Sequence, residues 1–189
     1  VKKKLTAALS GSAVLVLALT GCGSDDGSEE TDKWAKEVCD QVKPQVKKIQ
    51  KANTSINEAS QQQKSPEEVQ KTDSAAFQDI SDAYKSLANA VKRAGEPPVD
   101  DGAKLRKNAV GELNGLSKEY GKLKTAVDEL DTKDQSEFAS GLKDVATKLG
   151  QLGKSGDKSL QKLQSGELGE AMADQPGCKR ASPGETTDA

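Results

Sequence analysis

The chain has 189 residues, with 28 basic and 30 acidic side chains, no histidine and a hydrophobic fraction of 33%. That near-balance argues against a nucleic-acid partner, for which a strongly basic face would be expected, and the missing imidazole removes the commonest general base and a principal metal ligand. Five aromatics are present, Trp34, Phe77, Tyr84, Tyr120 and Phe138, so the core must be built mainly from Leu, Val and Ala, which suits a long, thin helical bundle.

In chain order, Lys2, Lys3 and Lys4 precede an apolar run from Leu5 to Leu19 that only Thr6, Ser10, Gly11 and Ser12 interrupt. A spanning helix needs about 20 apolar residues, so this shorter run reads as the basic and hydrophobic regions of a secretory signal. It ends in Leu19-Thr20-Gly21-Cys22. These four residues resemble the lipobox of bacterial lipoproteins: an aliphatic residue, two small residues and an obligatory cysteine. The resemblance implies a diacylglyceryl group on the Cys22 sulfur, cleavage between Gly21 and Cys22, and a mature protein lipid-anchored on the outer face of the cytoplasmic membrane. Two or more acyl chains make such an anchor durable. Loss of residues 1–21 removes three of the 28 basic side chains and none of the 30 acidic ones, leaving a net −5 that argues against a polybasic membrane clamp.

Residues 23–31 contain no apolar side chain, and with the lipidated Cys22 they are expected to form a flexible tether reaching roughly 30 Å when extended. From about 32 to 62 the apolar residues Trp34, Val38, Val42, Val46, Ile49, Ala52, Ile56 and Ala59 fall at steps of three and four, the signature of an amphipathic helix. Pro44 interrupts it and predicts a kink or restart. A second helix over 66–95 begins with Ser65-Pro66-Glu67-Glu68, a capping box with proline at the first helical position. Its stripe runs through Val69, Asp73, Ala76, Phe77, Ile80, Tyr84, Leu87 and Val91, and Gly95 with Pro97-Pro98 ends it.

The third helix, over 102–130, carries the most regular stripe, Leu105, Ala109, Leu113, Leu116, Tyr120, Leu123, Val127 and Leu130, and such a stripe is a packing seam. A fourth, over 134–164, is capped by Thr132 with Gln135 or by Asp134 with Glu137. Its stripe is Phe138, Leu142, Val145, Leu149 and Leu152, followed by Leu160 and Leu163. Gly150, Gly153 and Gly156 fall in its second half, and each weakens a helix by about 1 kcal/mol relative to alanine, so a break near Gly156 is expected. Residues 179–189 read as a disordered tail.

The expected fold is therefore all-α, an elongated, antiparallel up-down four-helix bundle over 32–178. With Cys22 committed to lipid, Cys39 and Cys178 remain, and in an oxidising exterior they are most simply one disulfide. A metal site is the alternative, weakened by the absence of histidine. The up-down order brings both cysteines to the same end of the bundle.

Candidate chemistry is sparse. Serine beside lysine occurs at Ser117-Lys118, and Ser136, Ser140 and Ser159 lie in lysine-rich helix, where solvated surface is the simpler reading. The acids Asp128, Glu129, Asp131, Asp134 and Glu137 gather at one turn but lack the spacing of a calcium loop. Gly111 and Gly115 form a Gly-x-x-x-Gly pair whose meaning in lipid does not transfer to a charged helix. Lys47, Lys48 and Lys51 read as a solvated face, and Trp34 as core rather than an interface anchor. The glycines at 150, 153 and 156 offer a shallow groove as an alternative to loose packing.

Lipobox, polar tether, Trp34 and Cys39 at a helix start, and Pro176-Gly177-Cys178-Lys179 near the end together resemble small secreted lipoproteins of actinobacteria, and an initiating valine agrees with a GTG start in a high-GC genome. That resemblance implies address and architecture, without an activity. The functional expectation is a non-enzymatic envelope protein that needs no cofactor or metal, holds the membrane through Cys22, binds no nucleic acid, and meets another envelope protein or a wall component. The alternative is a ligand-binding or sensory accessory lipoprotein with an interhelical groove.

Overall fold

The computed structural model describes residues 25–62, 64–155 and 158–179, with the side chains of 25–27 and of 153–160 left aside. The signal segment, Gly21, Cys22 and residues 180–189 lie outside the described residues. All regular structure among the described residues is helical, in the order α1 (Asp25–Gln61), α2 (Pro66–Ala94), α3 (Gly102–Asp128), α4 (Gln135–Ser155), α5 (Lys158–Leu163) and α6 (Gly166–Asp174). No described helix is long and apolar enough to cross a membrane.

The ends of these helices follow from local chemistry. The Ser65 hydroxyl accepts from the Glu68 backbone N–H at 3.3 Å while the Glu68 carboxylate accepts from the Ser65 N–H at 3.1 Å, so the capping box starts α2. Those hydrogen bonds hold the Glu68 carboxyl below the usual carboxylate range. Gly95, at φ +82°, ends α2 in a backbone conformation that side chains with a Cβ rarely adopt. Asp134 caps α4, its Oδ1 accepting from the N–H groups of Ser136 at 2.9 Å and Glu137 at 3.0 Å. Of the two caps the sequence allowed, Asp134 is the one used.

Two features of α1 differ from expectation. It begins at Asp25, inside the segment expected as a flexible tether, and Thr31 within it is buried. A polar segment can continue a helix when a packed stripe follows, because propagation adds a hydrogen bond per residue without a new nucleus. Exposed Lys33 and Glu29, 2.7 Å apart at i,i+4, add to that turn. The helix also continues through Pro44 rather than restarting there. Pro44 is exposed, so the carbonyl it deprives of a partner, that of Asp40, has access to water.

Two clusters make the core. The first joins Trp34, Val38 and Cys39 near the start of α1 to Leu87 and Val91 late in α2, and to Ala109 and Leu113 early in α3. The second joins Ala52 late in α1 to Phe77 and Ile80 early in α2, and to Leu123 and Val127 late in α3. Successive helices therefore alternate in direction, with α2 packed between α1 and α3 along its length. Tyr84 stacks on Tyr120 with ring centroids 5.5 Å apart, and Phe77 lies tilted against Tyr120 at 6.2 Å, an aromatic ladder across the α2–α3 seam. Within the same seam the Ser81 hydroxyl donates to the Ser117 carbonyl at 2.8 Å.

The return from the far end is made in pieces. Val145 of α4 enters the second cluster, while Leu163 of α5 and Leu168, Ala171 and Met172 of α6 enter the first. The single helix expected over 134–164 is thus divided into α4 and α5, in the glycine-rich stretch where helix propensity is lowest. The last helix, α6, was not anticipated: Leu168, Ala171 and Met172 are too few to declare a period, yet they cover the α1 end of the core.

Candidate functional site

Cys39 sits wholly buried on the inner face of α1, and Cys178 follows α6 in a turn whose N–H donates to the Gln175 carbonyl at 3.0 Å. Their Cα atoms are 5.0 Å apart and their sulfurs are joined, across 139 positions of sequence. The chain reaches α1 only because residue 177 has no side chain. A Cβ on Gly177 would lie 2.1 Å from the Cys39 carbonyl oxygen and 2.5 Å from its carbon. Both are atoms of a helix backbone that cannot yield.

This attachment shapes one wall of a groove of about 790 Å³ between α1, α6 and the turn after it. Its α1 side carries Val42, Lys43, Val46, Lys47 and Gln50, one helical face over two turns. The opposite side carries Gln164, Gly169, Met172 and Ala173, and the floor closes at Gly177, Cys178 and Lys179. Val46, expected within the buried stripe, is 39% exposed here, the large hydrophobic side chain that the described core leaves open. The stripe of α1 is continuous in sequence, but at this level the chain opposite it is α6, which is too short to cover it.

The charge on this groove is of one sign. Lys43, Lys47 and Lys179 line it and no Asp or Glu does. Elsewhere ion pairs join Lys33–Glu29, Lys36–Asp40, Lys48–Asp79, Lys122–Glu119 and Lys124–Asp128, while other described lysines, Lys51, Lys85 and Lys148 among them, stand in solvent without one. Among the described residues the three groove lysines have no carboxylate partner. A second hollow, about 490 Å³ between α3 and α4, carries Lys122 and Lys148 with Glu119, which pairs with Lys122 at 2.6 Å and leaves Lys148 without an ion pair among the described residues.

Compared with protein-family models, with curated proteins and with solved structures, this chain finds no match. Its function must be argued from its own residues.

The other candidates are placed as follows. Trp34 is core, and its Nε1 donates to the Gly95 carbonyl at 3.1 Å, fastening the start of α1 to the end of α2. Ser117 is buried with its hydroxyl 3.3 Å from that of Ser81, a helix contact rather than a serine–lysine pair, and Ser136 and Ser140 are exposed. Ser159 lies among the side chains left aside. Gly111 and Gly115 face open space. Gly150 does too, and the hollow between α3 and α4 lies beside it at Lys148, Gln151 and Leu152, while Gly156 lies outside the described residues.

Three of the five acids of the turn are engaged by backbone and neighbours, while Glu129 and Glu137 are exposed. Asp131 accepts from the Lys133 N–H at 2.8 Å, Asp134 caps α4, and Lys124 and Ser74 hold the Asp128 carboxyl below the usual carboxylate range. No group of three or more metal-ligating side chains is gathered among the described residues. Of the lysine run, Lys48 pairs with Asp79 at 3.3 Å, Lys51 is exposed, and Lys47 enters the groove.

The groove itself was missed from sequence. Lys43 and Lys47 stand out only once Met172 and Lys179 are opposite them, and the one available signal was Ser165-Gly166 followed by apolar residues at 168, 171 and 172.

Proposed function

We propose that this protein is a lipid-anchored, non-enzymatic binding module of the bacterial cell envelope, held at the outer face of the cytoplasmic membrane through Cys22 and binding at the groove between α1 and α6. The observation that carries the binding reading is a lysine-rimmed apolar groove whose three charges have no partner among the described residues. The lipobox residues Leu19-Thr20-Gly21-Cys22 carry the anchoring reading. The topology we adopt is an up-down four-helix bundle whose fourth pass is divided among α4, α5 and α6.

Of the two occupants expected from sequence, a protein or wall partner along the bundle and a ligand between helices, the groove favours the ligand. Since α1 begins at Asp25, three residues beyond Cys22, the anchor and the helix start are close in sequence. The groove face from Val42 to Gln50 would then stand roughly 25 to 37 Å along the helix from that start, at about 1.5 Å per residue.

Two experiments test this. Fractionation of cells expressing Cys22→Ala should show the protein at unprocessed size and lost from the lipidated pool, and a variant processed and anchored like the wild type refutes the anchor. A photocrosslinking amino acid at position 46, used in intact cells, should give a reproducible adduct that the same group at exposed position 85 does not. Equal labelling at both positions, or none at 46, refutes a binding role for the groove.

A further inference from the structure

We infer that the groove takes a single-chain anionic amphiphile, a long-chain carboxylate in the simplest case, with its apolar body on Val42, Val46 and Met172 and its anionic head among Lys43, Lys47 and Lys179. This deepens the binding role proposed above and rests on it.

Three observations select that chemistry. The groove offers positive charge without a carboxylate among its lining residues, so the complementary group is an anion. Those lysines are exposed and line the groove together with Val42, Val46 and Met172; a lysine stem can lie along apolar surface with its ammonium in water, which suits a head group at the rim rather than a buried charge. Beneath them lie Val42, half-buried, Val46, 39% exposed, and Met172, 6% exposed. Met172 is unbranched and adaptable, a residue that accommodates flexible apolar chains. A purely polar anion would leave this floor without use, and a neutral lipid would leave the lysines unanswered.

Size decides against a folded partner. The groove, at about 790 Å³, falls within the roughly 300–1,000 Å³ of small-molecule sites. Twelve described residues line it, whereas a stable protein–protein interface engages about 20–30 residues on each side. Along α1 it spans Val42 to Gln50, roughly 12 Å of helix, room for a short acyl segment and too little for a bundle face.

The Cys39–Cys178 link belongs to the site, because Cys178 and Gly177 form its closed end. Opening the link frees Lys179 and the turn from α1 and removes that wall.

The test is photolabelling of the full mature protein in nanodiscs with a diazirine-bearing dodecanoate, with adducts mapped by mass spectrometry. Adducts should concentrate on 42–50 and 169–179. Excess unlabelled dodecanoate should suppress them, and the matched diazirine dodecanol should label the groove at least tenfold less. The paired variant Lys43→Glu with Lys47→Glu, both exposed positions, should lose most of the labelling while its circular dichroism and melting temperature match the wild type.

Labelling spread evenly along the helices, equal labelling by the alcohol, or full labelling of the charge-reversed variant would overturn the proposal. Crosslinks from position 46 to residues 180–189 of the same chain would assign the groove to the C-terminal segment instead. If dodecanoate fails while position 46 reproducibly captures one envelope protein in cells, the amphiphile is refuted and the binding module survives. If both fail, both fall.

Discussion

Asp73 should make the protein less stable as pH rises, the reverse of what most carboxylates do. It occupies a stripe position of α2, one turn from Val69 and one from Phe77, and is 6% exposed with no hydrogen-bond partner for its Oδ1 among the described residues. Burial pushes its carboxyl from 3.8 up to about 6. The folded state therefore holds the proton more tightly than the unfolded chain does, and its stabilising effect is complete below about pH 4 and lost as pH rises through about 6. With one pKa unit equal to 1.36 kcal/mol, the ionised carboxylate weakens the fold at neutral pH by roughly 3 kcal/mol, an upper figure that relaxation of neighbouring side chains lowers to about 2–3 kcal/mol.

Asp73→Asn keeps the shape and removes the charge. At about pH 7.5 it should raise the melting temperature by roughly 5–10 °C for a domain of this size, and at about pH 4 the gain should fall well below 1 kcal/mol. The difference between variant and wild type isolates Asp73 from Asp128 and Glu68, whose lowered carboxyl pKa values make them lose stability as pH falls. Urea unfolding of both proteins across that pH range is the assay. A difference that does not change with pH, or a variant less stable at neutral pH, would refute the reasoning.

Other consequences are equally direct. Reduction of Cys39–Cys178 reopens a loop of 139 positions and should lower unfolding stability by up to about 5 kcal/mol; identical urea midpoints with and without reductant would contradict it. Gly177→Ala should lift the last turn from α1, slow disulfide formation and destabilise by about 1–3 kcal/mol, measured by thiol titration during refolding. Trp34→Phe removes the donor to the Gly95 carbonyl and should weaken the fold by about 1 kcal/mol or somewhat more, with faster amide exchange over 95–101 as its local mark. Ser65→Ala should shorten α2 at its start and lose about 1 kcal/mol, and unchanged amide exchange at 67–70 would count against the capping box.

Helix existence and facing were legible residue by residue. Steps of three and four in α2 and α3 placed Phe77, Ile80, Leu113, Leu123 and Val127 in the core, and Ser65-Pro66-Glu67-Glu68 fixed the start of α2 to the residue. Such signals are local: a cap and a period are complete within a few residues of chain. The start of α1 was misjudged because composition alone cannot say whether a polar segment gains a helix from the stripe that follows it. The unbroken passage through Pro44 depends on which face of α1 meets water, and that too is set by neighbours.

The candidate site was the least legible part. Val42 and Val46 continue a stripe that promised burial, and Lys43 and Lys47 looked like an ordinary solvated flank. Only their position opposite the short α6 turns one into an exposed floor and the other into a rim. The sequence by itself determined helical periods, caps and the absence of histidine, because each depends on residue type or local spacing. Tertiary structure alone decided where the stripe of α1 goes uncovered and which lysines lack a carboxylate, because both depend on elements more than a hundred residues apart meeting at one end of the bundle.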